Sequence, residues 1–137
     1  MHTVVIPVDA SSYGVEETIE YIDSLQGDRR AIVVHVRADI DVIGSDGGRV
    51  SVDADELEIP ETVDNLIGAL EDRGVTTERI VRGGDVVEQT LAVADEFEAD
   101  QLVVPTQKRS AVGKFVFGST TVDFVQNASV PVTLITE

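Results

Sequence analysis

The sequence predicts a doubly wound α/β domain, in which a five-stranded parallel sheet carries helices on both faces. Three observations lead there. Along the whole chain, short apolar runs rich in β-branched residues alternate with stretches whose apolar residues recur at helical spacing. Helix punctuation falls where the pattern changes. A length of 137 residues suits one domain, numbered 1–137 throughout, and lets such a chain bury roughly 70% of its unfolded surface.

The elements follow in chain order. Thr3 to Val8, "TVVIPV", reads as the first strand, and Val15, Ile19, Ile22 and Leu25 form the stripe of the first helix. Ala31 to Val36, "AIVVHV", is the second strand. Residues 38–56 are acidic, glycine-bearing and without period, and read as a flexible surface excursion; their "DID…SDGG" fails the spacing of a calcium loop. The second helix carries Ile59, Val63, Leu66, Ile67 and Leu70, with Pro60 suited to a first turn and Gly74 to the residue just past the end. Thr76 to Val81 is the third strand, and Gly83 and Gly84 are turn residues. Asp85 and Glu88 resemble a capping box before the third helix, which carries Val87, Leu91, Ala94 and Phe97. Asp100 to Pro105 is the fourth strand; Val122, Phe124 and Val125 mark a short fourth helix; and Val130 to Ile135 is the fifth strand.

For five strands the two common orders are 3-2-1-4-5 and 2-1-3-4-5, and in both, ligands bind beyond the carboxyl ends of the strands at the switch point. In the first order the loops Asp9 to Gly14 and Pro105 to Thr120 face each other there.

The 26 acidic residues against 10 basic ones give a formal net charge of −16, which argues against a nucleic acid partner, since such binding rests on neutralising phosphates. The acids are scattered rather than gathered in a tail, and arginines outnumber lysines 8 to 2, so adaptation to salt is the expectation. At about 1 M salt the Debye length is about 3 Å and the self-repulsion becomes tolerable. A fold that stays intact in dilute buffer would contradict this. Without cysteine there is no disulfide framework and no thiolate metal site. No apolar run approaches the length of a membrane span, and no leader precedes the first strand, so a cytoplasmic location is expected.

The segments "VVIPVDASSYG", "VRGGDVVEQTLAVADEFEADQLVVPT" and "RSAVGKFVFGSTTVDFVQNASVPVTLI" together resemble the universal stress protein family across essentially the whole chain. The resemblance implies the strand order 3-2-1-4-5, a homodimer formed by the last strands, here Val130 to Ile135, and in one branch a bound ATP. It also implies that Asp9 contacts the adenosine part of that ligand and Val34 the adenine. The cofactor expected, if any, is ATP or AMP with Mg; relatives that bind ATP carry Gly-x-x-Gly, nine residues, then Gly-Ser or Gly-Thr. Anchored on Gly118 and Ser119, the two earlier glycines fall at positions occupied here by Pro105 and Lys108. Glycine permits positive φ and lets backbone N–H groups meet phosphate oxygens, whereas proline fixes φ and has no N–H. Gly113 does not restore the spacing.

Other residues favour an anion. Lys108, Arg109 and Lys114 bring three basic residues together in an acidic chain, and Gly118, Ser119, Thr120 and Thr121 lead into the last helix, whose free N–H groups suit negative charge. Each has a plainer reading: Asp9 with Ser11 and Ser12 as a cap of the first helix, the hydroxyls as ordinary helix-start residues, the basic trio as exposed ion pairs, His2 and His35 as terminal and core residues. No Gly-x-Ser-x-Gly, P-loop or His-Glu-x-x-His motif marks a catalytic constellation. The sequence therefore reads as a dimeric stress-response regulatory or interaction module, open to an unidentified protein partner, with weakened or lost ATP binding. The alternative is a member that still binds ATP, AMP or another anion.

Overall fold

The structure, a computed structural model, describes residues 1–9, 13–37, 60–106, 109–111, 114–116 and 118–136, with the backbone alone for 109–111 and 114–116. The acidic stretch 38–56 lies outside the described residues, as do Ser11, Ser12 and Lys108.

In chain order the elements are β1 (His2–Pro7), α1 (Val15–Ser24), β2 (Arg29–Arg37), α2 (Glu61–Glu71), β3 (Thr76–Gly83), α3 (Val86–Glu96), β4 (Gln101–Thr106), β5 (Arg109–Ala111), β6 (Lys114–Val116), α4 (Ser119–Asn127) and β7 (Val132–Thr136). The main sheet is parallel, in the order β3-β2-β1-β4-β7. This is the 3-2-1-4-5 arrangement. The short antiparallel pair β5 and β6 stands apart from it, in a stretch that the sequence presents as a loop. β7 begins at Val132, so Val130 and Pro131 precede the last strand rather than belong to it.

The central strands are apolar on both faces because both faces are covered. Val4, Ile6, Ala31, Val33 and Val103 project to one side, where Ile22 of α1 and Val63, Leu66 and Leu70 of α2 bury them. Val5, Ile32, Val34, Leu102 and Val104 project to the other, against Val87, Val93 and Ala94 of α3 and Phe124 of α4. In α4, Phe124 alone of the three residues read as a stripe turns inward; Val122 and Val125 are exposed. A helix of nine residues packing through one large ring needs no wider apolar face.

The caps follow from local chemistry. The Asp85 carboxylate accepts the Glu88 N–H at 2.9 Å and starts α3, as its position suggests. Pro60 stands one residue before α2, as its cap rather than in its first turn. At the far end of α2, Val75 N–H reaches Leu70 O (3.1 Å) and Gly74 N–H reaches Glu71 O (3.0 Å), with Gly74 at φ 78°. This left-handed turn is what glycine supplies.

The end of α3 closes the same way without a glycine. Ala99 N–H bonds to Ala94 O (2.9 Å) and Glu98 N–H to Asp95 O (3.3 Å), placing Glu98 at φ 51°. A left-handed non-glycine residue is strained by about 1–2 kcal/mol, partly offset by the extra chain entropy of glycine when unfolded. Glu98→Gly is therefore expected to stabilise the fold by about 0.5–1 kcal/mol, read as a higher urea midpoint at unchanged slope. A lower midpoint would contradict the strain.

Candidate functional site

The strands part where the ligand crevice of a doubly wound sheet belongs. β1 pairs with β2 over six residues, from His2↔Arg29 to Pro7↔Val34, but with β4 only at Val4↔Gln101 and Val5↔Leu102. Beyond Leu102, β4 runs with β7 alone, through Thr106↔Thr136. A cleft of about 290 Å³ opens at this divergence, near the lower bound of roughly 300 Å³ for small-molecule sites.

The apolar floor of the cleft comes from Val8 after β1, Val36 of β2, Val86 of α3, Val104 of β4 and Phe124 of α4. Polar groups stand around it: Asp9 after β1, Tyr13 before α1, and Thr120 and Thr121 in the first turn of α4. Pro7, Val15 and Pro105 complete the described wall. An apolar slot with a few convergent polar groups has the make-up of a small-molecule site.

Asp9 is exposed, and its carbonyl accepts the Thr62 hydroxyl at 2.7 Å. It does not cap α1, because that helix starts six residues later at Val15 behind Gly14 and has no side-chain cap. Thr18 holds Gly14 O instead, through its N–H at 2.9 Å and its hydroxyl at 2.6 Å. Val34 is fully buried in the core and does not line the cleft; Val36, two residues further along the same face, does. The reason is register. β1 ends at Pro7 level with Val34, and β2 continues to Arg37, so the residue level with the cleft lies beyond Val34.

Gly118 caps α4 at φ −69° and ψ 166°, with no side-chain acceptor for the first turn. That backbone is open to any residue, and no described atom lies within 4 Å of a Cβ placed there. Among the described residues, neither strain nor packing thus requires this glycine. Ser119 and Thr120 are exposed. The first turn of α4 carries no acid, whereas those of α1, α2 and α3 carry Glu16 and Glu17, Glu61 and Asp64, and Glu88. The positive end of α4 is therefore not offset by an acid of its own first turn.

Arg109 opens β5 and pairs with Val116, while Ala111 pairs with Lys114 across the hairpin. Arg109 and Lys114 therefore stand on two short strands between β4 and α4, while Lys108 and Gly113 lie outside the described residues. His35 is a core residue, its Nδ1 3.0 Å from Val8 O. His2 is half-exposed, its Nε2 2.8 Å from Gln101 Nε2. Tyr13 and Val36 were not singled out by sequence reasoning; their place at the end of "DASSYG" and of the second strand was the available signal.

Pro105 is the most informative wall residue. It lies within β4, opposite Ile135. Leu102 N–H donates to Pro131 O on the β7 side at 2.9 Å, and successive amides along a strand point to opposite sides. The amide position of residue 105 therefore faces the opened gap beside β1. A proline there removes no bond to β7. What it removes is the one N–H of this residue that would look into the cleft.

Fold and cleft together define a doubly wound α/β domain with a cleft at its switch point. The chain belongs to the universal stress protein family, whose sequence model matches residues 1–136. Among solved structures it is similar to a universal stress protein from Archaeoglobus fulgidus, with 28% identity, 98% of each chain covered and a TM-score of 0.70. It is also similar to the universal stress protein from Archaeoglobus fulgidus in complex with dAMP, with 25% identity, 98% of each chain covered and a TM-score of 0.68. A family protein from Arabidopsis thaliana with AMP bound shares the fold at 18% identity, with 100% of this chain and 92% of that one covered and a TM-score of 0.66. No curated protein matches the chain. No helix among the described residues is long and apolar enough to cross a membrane.

Proposed function

We propose that this protein is a regulatory module that takes an adenine nucleotide in the cleft and holds a triphosphate only weakly. The observation that carries this reading is the cleft itself: an apolar slot at the switch point, lined by Asp9 and by the start of α4, whose first turn has neither a side-chain cap bond nor an acid. The similar Archaeoglobus fulgidus protein was solved with dAMP, a ligand of the shape and charge this arrangement suits. In this reading Val36 and Phe124 pack against the base and Asp9 accepts from a ribose hydroxyl. The N–H groups after Gly118, with the hydroxyls of Ser119 and Thr120, meet the first phosphate, and Arg109 adds positive charge nearby. Pro105 and Lys108, standing where glycines would let main-chain amides wrap further phosphates, weaken the hold on ATP.

The test is thermal unfolding with and without nucleotide, since a ligand at 100 times its Kd adds about 2.7 kcal/mol. Millimolar AMP is expected to raise Tm measurably. The same Tm with and without AMP, adenosine and ATP would sink the reading.

We further propose that the module acts as a homodimer through β7. The two sheet edges differ in the way that favours this. β3 carries Glu78, Arg79 and Arg82, with Arg79 bonded to Asp64 of α2 and Arg82 to Glu96 of α3, and a charged edge resists pairing. β7, Val132–Thr136, carries no charge. A charge at Thr133 would test this poorly, because its hydroxyl donates to Gln101 Oε1 inside the fold at 2.6 Å. Val132→Pro serves better: with Pro131 O turned towards β4, the N–H of Val132 points to the open side. Sedimentation is expected to show a dimeric parent and a monomeric variant; an unchanged dimer would place the interface elsewhere.

A further inference from the structure

We propose that His2, Gln101, Tyr21 and Thr133 form a proton-operated hydrogen-bond switch at the amino end of the sheet, which carries the charge state of His2 to the edge strand β7. The switch is independent of the cleft, which lies at the other end of the strands.

His2, Gln101 and Thr133 stand on the face of the sheet that meets α1, where Val4, Ile6, Val103 and Ile135 pack further along the same strands. Gln101, 7% exposed, is the centre of the cluster. Its Oε1 accepts the Tyr21 hydroxyl of α1 at 3.0 Å and the Thr133 hydroxyl of β7 at 2.6 Å. With the oxygen so occupied, Nε2 carries the donors, and it lies 2.8 Å from His2 Nε2. A donor there requires an acceptor, so in this arrangement His2 is neutral with its hydrogen on Nδ1. Nδ1 lies 4.0 Å from Asp100 Oδ2, an atom held in place by the Thr3 N–H at 2.8 Å. Asp100 thereby keeps Nδ1 protonated, and Nε2 is the nitrogen left to change.

Protonation of Nε2 sets donor against donor across 2.8 Å, with no acceptor between them. Turning the Gln101 amide over resolves this. Oxygen and nitrogen exchange places, so that Oε1 accepts from His2 while the two hydrogens of Nε2 meet the Tyr21 and Thr133 oxygens. A hydroxyl accepts as well as donates, so the amide is satisfied in both settings and no backbone has to move. In the first setting Thr133 commits its hydrogen to Gln101; in the second that hydrogen is released to serve the edge of the sheet. A proton taken up on β1 thus reverses the polarity of a hydroxyl two strands away.

His2 is open to solvent protons, with 36% of its side chain exposed. Beside Asp100 of β4, the charged groups near it are the Met1 amine and, on β2, Arg29, which lies level with His2. Arg29 is committed to the carbonyls of Ile22, Asp23 and Arg73, and the carbonyl of Asp28 accepts the His2 main-chain N–H at 2.8 Å. From α1 comes Tyr21, while Asp23 pairs with Arg29 and Arg73; β7 brings no charge.

An NMR titration of the isotopically labelled full chain over about pH 5–8, where histidine changes charge, tests the switch. Above the transition, neutral His2 is expected in the Nδ1–H form, with the Gln101 side-chain amide protons beside the His2 ring. Below it, those protons are expected beside the Tyr21 ring and the Thr133 methyl group. The Gln101 and Thr133 signals are expected to shift with the midpoint of the His2 ring. In His2→Phe and His2→Gln, each checked for folding by circular dichroism, that shift is expected to be lost. Neutral His2 in the Nε2–H form, a His2 ring that keeps one charge throughout, or Gln101 signals that stay fixed while His2 titrates would each overturn the inference in the parent alone. A response at Gln101 that survives in the variants would assign it to Asp100 and overturn it too.

Discussion

Phe124→Ala is expected to cost about 3–5 kcal/mol, the range for deleting a buried aromatic side chain. Phe124 is 2% exposed and is the buried residue of α4, with Val104, Val34 and Ala94 among the members of its core cluster. It is also the floor of the cleft. In the proposed reading the ring has two roles: it anchors the helix whose first turn would face the nucleotide, and it would supply apolar surface beneath the base. Removing it should lower the urea midpoint steeply and weaken AMP binding together. Phe124→Leu keeps most of the volume and should recover most of the stability. A loss under about 1 kcal/mol for the alanine variant would show that α4 is held by something other than this ring.

Arg29→Ala is the second large loss expected, about 2–3 kcal/mol from hydrogen bonds between a charged donor and carbonyls that are left without it. Arg29, at the start of β2, donates to Ile22 O (3.1 Å) and Asp23 O (3.0 Å) at the end of α1, and to Arg73 O (2.9 Å) just past α2. Its side chain is 14% exposed. Neither helix has a basic residue of its own in the last turn, so one guanidinium from the sheet meets the negative ends of both. Asp23 lies 3.6 Å from Arg29 and 3.7 Å from Arg73 and completes the cluster. Arg29→Lys should fall between the parent and the alanine variant, since an ammonium cannot span three carbonyls with the planar fork of arginine. A variant as stable as the parent in a denaturant titration would contradict the role.

The strands of the sheet were legible in the chain because strands covered on both faces must be apolar throughout, and the runs around Val5, Val33 and Val103 leave few other readings; their order was not, since the pattern left 3-2-1-4-5 and 2-1-3-4-5 open and the family resemblance decided between them. Caps set by local chemistry, at Asp85 and Gly74, were legible too. What depended on contacts far apart in sequence was not. Val34 was named where Val36 lines the cleft, because the depth of a residue along β2 is set by pairing with β1, which composition does not reveal. Val122 and Val125 looked like part of an inward stripe, but a short helix anchored by one ring leaves them outside. The β5 and β6 strands are three residues each, too short for any periodicity. Pro105 was recognised as a departure from a glycine pattern, yet its fit against Gly14, where a Cβ would stand 3.2 Å from Pro105 Cβ, could not be read from either residue alone.

The account turns on the cleft at the β1 and β4 divergence holding an adenine nucleotide by its base, its sugar and its first phosphate. A crystal structure grown with AMP tests that most directly. The predicted result is a base packed between Val36 and Phe124, a ribose beside Asp9 and a phosphate at the first turn of α4. An empty cleft at saturating AMP, or ATP bound with all three phosphates wrapped by the main chain at 105–108, would contradict it.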